Sequence, residues 1–173
     1  MILDCLSKAM FLYFIYNAVV LLLFGAPKSL SMTYYLFKER SESLRFLFPA
    51  MMTILAVFMM PCWLEMSEGS PFQFTAFLSA AGVLFVGAAP AFKSSSLENA
   101  VHQVSAYLCA LFAMLWICLV TPYWYIILIV LAAVSAIAIS TKTVRSSYIY
   151  WLETVAFVST FISMICYYLN FIR

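Results

Sequence analysis

Ionisable side chains are scarce in this chain, and the few that fall inside long apolar stretches are the first candidates for chemistry. His102 is the sole histidine of the 173 residues, and Glu153 and Asn17 also interrupt apolar runs. An ionisable group in a membrane-spanning segment is costly in lipid, so it usually faces the protein interior or a water-filled cavity. These residues therefore predict a polar interior that could bind a ligand. Asn17 is more typical of a single interhelical hydrogen bond.

Small residues share the predicted helix face of His102. Ala106 and Ala110 follow it by four and eight positions, and Glu98 precedes it by four. Residues four apart share one side of a helix, so His102 is expected to point into the protein. Two interpretations stay open: a hydrogen bond that holds the helix end at the membrane edge, or a role in ligand binding, proton transfer or catalysis.

Glu153 opens a face of small and polar residues, which continues with Ala156, Thr160 and Ser163. Phe157, Phe161 and Ile165 are expected to point elsewhere. We predict that the carboxylate faces the bundle, within direct or water-bridged reach of His102 or another polar side chain. The alternative is an interfacial carboxylate that reaches water or pairs with Lys142 or Arg145.

The residue inventory excludes several known membrane enzymes. One histidine cannot supply a bis-His haem or the zinc ligands of ceramidase-type and adiponectin-receptor-type hydrolases. Asp4 is the only aspartate, so an intramembrane pair of catalytic aspartates is absent. The sequence contains no P-loop, G-x-S-x-G or H-E-x-x-H motif. We expect no metal and no cofactor, and an interfacial enzyme that uses His102 and Glu153 as an acid/base pair is the less favoured alternative.

The composition identifies the elements that must position these residues. The chain is 66% hydrophobic and 9% charged, whereas soluble domains are about 25% charged. It is therefore expected to be an integral membrane protein, which excludes soluble enzymes and secreted disulfide scaffolds. A net charge of +2 is too small for a nucleic-acid-binding surface. The five cysteines lack C-x-x-C spacing and are expected to be small apolar side chains, with a Cys5–Cys62 disulfide as the alternative.

The apolar stretches predict an all-α, six-helix transmembrane bundle that forms one domain over residues 1–173. A span needs about 20 apolar residues, and six such stretches occur, at about 7–25, 45–65, 71–92, 101–121, 123–141 and 148–171. Cleavage of the first span as a signal peptide is the less favoured alternative. Gly82 and Gly87 predict close helix packing, as does a stripe of small residues in the fifth span: Ala132, Ala136 and Ser140.

The basic residues predict the orientation in the inner (cytoplasmic) membrane. Loops that carry Lys and Arg stay in the cytoplasm. The loops after spans one, three and five hold seven of the nine: Lys28, Lys38, Arg40, Arg45, Lys93, Lys142 and Arg145. Only Lys8 and Arg173 lie on the other side, so both termini are expected outside.

Two segments carry a resemblance to a known group. Ser29-Leu30-Ser31-Met32-Thr33-Tyr34-Tyr35 follows the first span, and His102-Gln103-Val104-Ser105-Ala106 opens the fourth, after the Ala81–Gly87 segment that closes the third. Over about residues 20–115 the chain resembles a broad group of uncharacterised bacterial six-helix membrane proteins. The resemblance implies a cytoplasmic cluster of Ser29, Ser31, Tyr34, Tyr35 and His102, and it implies no activity. Ser29 and Ser31 could cap a helix that starts near Met32, and His102 could hydrogen-bond this segment.

These observations leave three hypotheses for function. The first is a bundle that binds or moves a lipid or small apolar molecule through a cytoplasm-facing polar pocket, lined by the candidate ligand-binding residues Asn17, Ser29, Ser31, Tyr34, Tyr35, His102 and Glu153. The second is a non-catalytic subunit or sensor that packs against a membrane-protein partner. The third is the interfacial enzyme.

Overall fold

The computed structural model describes residues 2–171, and over that range the chain is helical with no strand. Arg173, which entered the count of outer charges, lies outside the described residues. The helices are α1 (Ile2–Phe24), α2 (Thr33–Arg40), α3 (Leu47–Met66), α4 (Gln73–Ala88), α5 (Ser96–Val120), α6 (Tyr125–Ser140) and α7 (Tyr148–Phe171). A 3₁₀ turn, Glu42–Phe46, joins α2 to α3. The all-α prediction is confirmed.

Among the described residues, four segments are long and apolar enough to cross a membrane: Ile2–Phe24, Glu42–Met66, Ser96–Val120 and Tyr148–Asn170. The helices α4 and α6 are apolar but have only 16 residues each. At 1.5 Å per residue each is about 24 Å long, less than the roughly 30 Å hydrocarbon core. Proline explains the shortening, because Pro90 follows the end of α4 and Pro122 precedes α6.

The helix α4 lies between α3 and α5, and its two glycines make these contacts close. A Cβ atom at Gly82 would lie 2.8 Å from the Cβ atom of Cys109 on α5. A Cβ atom at Gly87 would lie 2.9 Å from that of Met52 on α3. The prediction of close packing at both glycines is therefore confirmed, and it places α4 beside the long helices.

The helix α6 packs mainly on α7. Its buried residues are Ile126, Val130, Val134 and Ala138. The small residues Ala132, Ala136 and Ser140 are exposed, so the prediction that this stripe makes the packing contact within the chain is wrong. Ile126, Val130 and Val134 bury more apolar area against α7 than Ala132, Ala136 and Ser140 would, which explains why α6 packs with this face.

The core is aromatic and lies where α1, α3, α5 and α7 meet. Its largest fully buried side chains include Tyr13, Trp63, Trp116, Tyr150 and Phe161. The Trp116 indole donates to the Ser67 hydroxyl at 2.6 Å, which satisfies one of the two buried indole N–H groups. All five cysteines are free thiols, so the alternative of a Cys5–Cys62 disulfide is wrong.

Candidate functional site

The loop between α1 and α2 (residues 25–32, the first loop) lies across the start of α7. The Ser147 hydroxyl donates to the Ala26 carbonyl at 2.8 Å, and the Tyr150 amide donates to the Lys28 carbonyl at 3.2 Å. The Leu30 amide in turn donates to the Glu153 carboxylate at 2.6 Å. Because the first amides of a helix have no partner within it, the Lys28 carbonyl also caps α7. These bonds fix the first loop against α7.

Glu153 therefore faces the protein, as its helix face predicts, but its donor is a main-chain amide. No hydrogen bond joins it to His102. Between residues 2 and 171 the ion pairs are Lys8–Asp4 and Arg45–Glu42, so neither Lys142 nor Arg145 pairs with Glu153. The prediction that Phe157 points away from the Glu153 face is wrong, because Phe157, Ala156 and Glu153 line the same narrow cavity.

His102 holds the end of the preceding helix. Its Nδ1 atom lies 2.9 Å from the carbonyl oxygen of Ala89, the residue that follows α4. The ring also stacks on Phe92, with 4.6 Å between the ring centroids. The expectation that His102 hydrogen-bonds the first loop is therefore wrong. The geometry matches the interpretation in which the histidine anchors a helix end, because the unpaired carbonyls at that end need donors.

Ser29 and Ser31 lie in the turn before α2, but neither caps that helix, because its N-cap residue is Met32 and no side chain caps it. The Ser29 hydroxyl accepts the Met32 amide at 3.2 Å. The Ser31 hydroxyl bonds that of Ser29 at 3.1 Å. Both serines are buried. The two hydroxyls therefore hold the turn that leads into α2.

Tyr34 and Tyr35 are placed differently. Tyr34 is buried and makes an edge-to-face contact with Tyr35. The Tyr35 hydroxyl accepts the Lys93 amide at 2.7 Å, and the Lys93 ammonium lies 4.5 Å from the centroid of the Tyr35 ring. Partial burial raises the pKa of the Tyr35 phenol, so it keeps its proton at neutral pH. Tyr35 thus ties α2 to the loop between α4 and α5.

Asn17 makes the interhelical hydrogen bond that the sequence suggests. Its side-chain oxygen accepts the Tyr150 hydroxyl of α7 at 2.9 Å, and its amide donates to the Tyr13 carbonyl at 2.8 Å. Asn17 does not line the cleft described below. It belongs to the packing of α1 on α7.

A cleft of about 500 Å³ brings four of the candidate residues together: Ser29, Ser31, His102 and Glu153. It lies between α5, the start of α7 and the first loop. Its walls include Lys28, Ser29, Ser31, Phe92, His102, Gln103, Ala106, Tyr107, Ala110, Tyr148, Ile149, Leu152 and Glu153. The first loop contributes Lys28, Ser29 and Ser31 to the lining, and α5 and α7 contribute His102, Gln103 and Glu153. Apolar side chains line the rest, and Tyr107, Tyr148 and Leu152 are more than half exposed. The cleft is thus amphipathic, with an apolar rim on the outer surface of the helices.

A narrower apolar slot of about 50 Å³ continues the cleft inwards. Ser31, Ala106, Ala110 and Glu153 line both spaces. The slot also contains Trp63, Ala156 and Thr160. The Trp63 indole N–H is buried, and no acceptor among residues 2–171 satisfies it. The wall of the slot therefore includes a residue whose buried donor has no partner among residues 2–171.

Sequence reasoning missed several parts of this site. Lys28 entered only as a loop charge, although it lines the cleft. Ala106 and Ala110 served only to orient His102, although they form a wall of the cleft. Their spacing from His102 was the available signal, because it places all three on one helix face.

The part of the chain from residue 2 to residue 171 contains no group of three or more His, Cys, Asp or Glu side chains that could hold a metal ion. No family model matches the chain, and neither a curated protein nor a solved structure matches it. The function must therefore be argued from the cleft.

Proposed function

We propose that the chain is a multi-pass protein of the cytoplasmic membrane with six spans, in which α4 and α6 cross beside the four long helices. The support for α4 is its position between α3 and α5, which are both part of spanning segments. The support for α6 is its position on α7. Flanking apolar residues such as Phe72 and Trp124 extend both short helices towards spanning length.

The proposed orientation puts the first loop and the start of α7 in the cytoplasm, with both termini outside. It rests on the uneven distribution of Lys and Arg. Thiol labelling of a cysteine-free variant tests it at two exposed positions, the first residue of α5 and the loop between α3 and α4. Ser96→Cys should react with an impermeant reagent only after the membrane is permeabilised, and Glu68→Cys should react in intact cells. The opposite pattern would reverse the orientation.

For the activity, we propose that the protein binds a lipid-like amphiphile in the cleft between α5 and α7. The amphipathic lining of this cleft is the observation that carries the proposal. Ligand pockets are mostly apolar with a few placed polar groups, and typical volumes are about 300–1,000 Å³. An amphiphile can place its polar group beside the first loop while its chains pass over the exposed rim into the bilayer.

The contacts of His102 favour binding over acid/base catalysis. Its Nδ1 atom is engaged by the Ala89 carbonyl, and no hydrogen bond joins its ring to Glu153. A paired acid and base would need the two groups within hydrogen-bond reach of each other or of one substrate proton. A site that holds a molecule without transforming it needs no such pair.

Filling the cleft provides the test. Ala110 lines both the cleft and the slot. Ala110→Phe is expected to fold and to lose most of the lipid that the parent retains through purification in mild detergent, as quantified by mass spectrometry of extracts. Ala132→Phe adds the same volume at an exposed position on α6 and is the matched control. Equal lipid retention by all three proteins, or a parent that retains none, would contradict the proposal.

A further inference from the structure

A carboxyl group and an ammonium group line the cleft without pairing with each other. Glu153 and Lys28 both line it, yet the ion pairs formed between residues 2 and 171 involve neither residue. Their separation leaves each available to an opposite charge on a ligand.

One oxygen of Glu153 remains available as an acceptor. The Leu30 amide occupies Oε2. The other oxygen, Oε1, accepts no hydrogen bond from residues 2–171, and Glu153 lines both the cleft and the slot. A carboxylate has room for about four hydrogen bonds, and an ammonium has three N–H donors. The free oxygen therefore suits a primary ammonium group.

Lys28 supplies the complementary group from the first loop. Its carbonyl is held by the Tyr150 amide, so its backbone is fixed at the start of α7. Its side chain is exposed and makes no hydrogen bond with residues 2–171. A lysine ammonium is a common partner of phosphate. The cleft thus presents an acceptor for an ammonium and a donor for a phosphate on neighbouring walls.

We propose that the cleft selects phospholipids whose headgroup carries both a primary ammonium and a phosphate, as in phosphatidylethanolamine; this inference rests on the proposed function. Glu153 accepts from the ammonium, and Lys28 contacts the phosphate. A choline headgroup has no N–H to donate to Glu153. An anionic headgroup satisfies Lys28 but leaves the carboxylate without a cation.

The test is a competition between headgroups. The full chain in detergent is equilibrated with an equimolar mixture of phosphatidylethanolamine, phosphatidylcholine and phosphatidylglycerol that carry identical acyl chains, and bound lipid is quantified by mass spectrometry. The parent should retain phosphatidylethanolamine about tenfold over the other two, since a charge-assisted hydrogen bond contributes enough for that ratio. Equal retention of the three lipids would overturn the headgroup inference and leave lipid binding intact. A parent that retains none of the three lipids would overturn both the headgroup inference and the proposed lipid binding.

Variants separate the two contacts. Glu153→Gln should reduce the preference for phosphatidylethanolamine over phosphatidylcholine to near one while total lipid is retained. Lys28→Gln changes an exposed side chain, so it should fold; it should lower total phospholipid but keep that preference. Lys142→Gln, an exposed cation outside the cleft, is the control and should change neither quantity. If Lys28→Gln and Lys142→Gln behave alike, or if Glu153→Gln folds and keeps the parent's preference, the inference is wrong.

Discussion

The hydrogen bond between Tyr150 and Asn17 is the clearest contact at the scale of single residues, because it joins α7 to α1 inside the core. Both residues are buried, and the Asn17 oxygen has the Tyr150 hydroxyl as its donor. Removing that hydroxyl leaves a buried acceptor without a partner. The loss should be visible as reduced stability even where the fold is kept.

We predict that Tyr150→Phe lowers the free energy of unfolding by about 0.6 kcal/mol, the average for hydrogen bonds between membrane helices, and by no more than about 1.7 kcal/mol, the largest such value. Unfolding in mixed micelles of increasing dodecyl sulfate measures the change. Tyr148→Phe removes a hydroxyl that is exposed and makes no hydrogen bond with residues 2–171, so it should have no effect. Equal changes for the two variants would show that the Asn17 contact contributes nothing.

Among the elements, α5 depends on the cap at its first turn. Ser95 accepts the Glu98 amide at 3.2 Å. The Glu98 carboxylate in turn accepts the Ala91 amide at 3.2 Å and also the Ser94 hydroxyl. These bonds therefore hold the loop between α4 and α5, which begins at Ala89, the residue whose carbonyl accepts from His102.

Ser95→Ala should reduce stability by about 1 kcal/mol, the usual effect of losing a serine cap. The neighbouring Ser96→Ala is the matched control, because Ser96 is exposed and its side chain makes no hydrogen bond with residues 2–171. Thermal unfolding in detergent compares the two. A melting temperature that falls equally in both variants would show that the Ser95 cap makes no specific contribution to stability.

The close packing of α4 on α5 depends on the missing side chain of Gly82. Gly82→Ala places a methyl group 2.8 Å from the backbone of Ser105 and Cys109, where no flexible side chain can move away. Overpacking of this kind typically costs about 1–3 kcal/mol. Leu84→Ala, on the exposed side of α4, should change stability much less. A Gly82→Ala protein as stable as Leu84→Ala would mean that the two helices separate at little cost.

The sequence predicted the helices and the inward face of Glu153 because both follow from hydropathy and helical period. It did not predict Leu30 as the donor to Glu153, since a main-chain amide leaves no sign in residue type. It placed His102 at a helix end correctly but assigned the wrong partner, because the Ala89 carbonyl becomes available only where Pro90 ends α4. The sequence predicts a polar pocket but not its alanine wall, because Ala106 and Ala110 look the same in sequence whether they touch a helix or border a space.

At the scale of the whole molecule, the helices differ in how many neighbours hold them. The helix α4 is packed between α3 and α5, whereas α6 packs mainly on α7 and keeps much of its apolar surface exposed. Segments with few buried contacts open at low free energy, and segments inside the core open only on global unfolding. The bilayer can cover the exposed face of α6, but it does not add the interlocking contacts that α4 has.

We therefore predict that the amides of α6 exchange with deuterium well before those of α4 when the protein is in detergent, as measured by hydrogen-exchange mass spectrometry. The two helices have the same length and similarly apolar compositions, so neither property explains a difference. Val130→Ala, which removes two buried methyl groups between α6 and α7, should speed exchange in α6 and leave α4 unchanged. If α4 and α6 exchange together in the parent and the variant, α6 unfolds with the rest of the molecule, and the α3–α4–α5 contacts do not form a more stable unit.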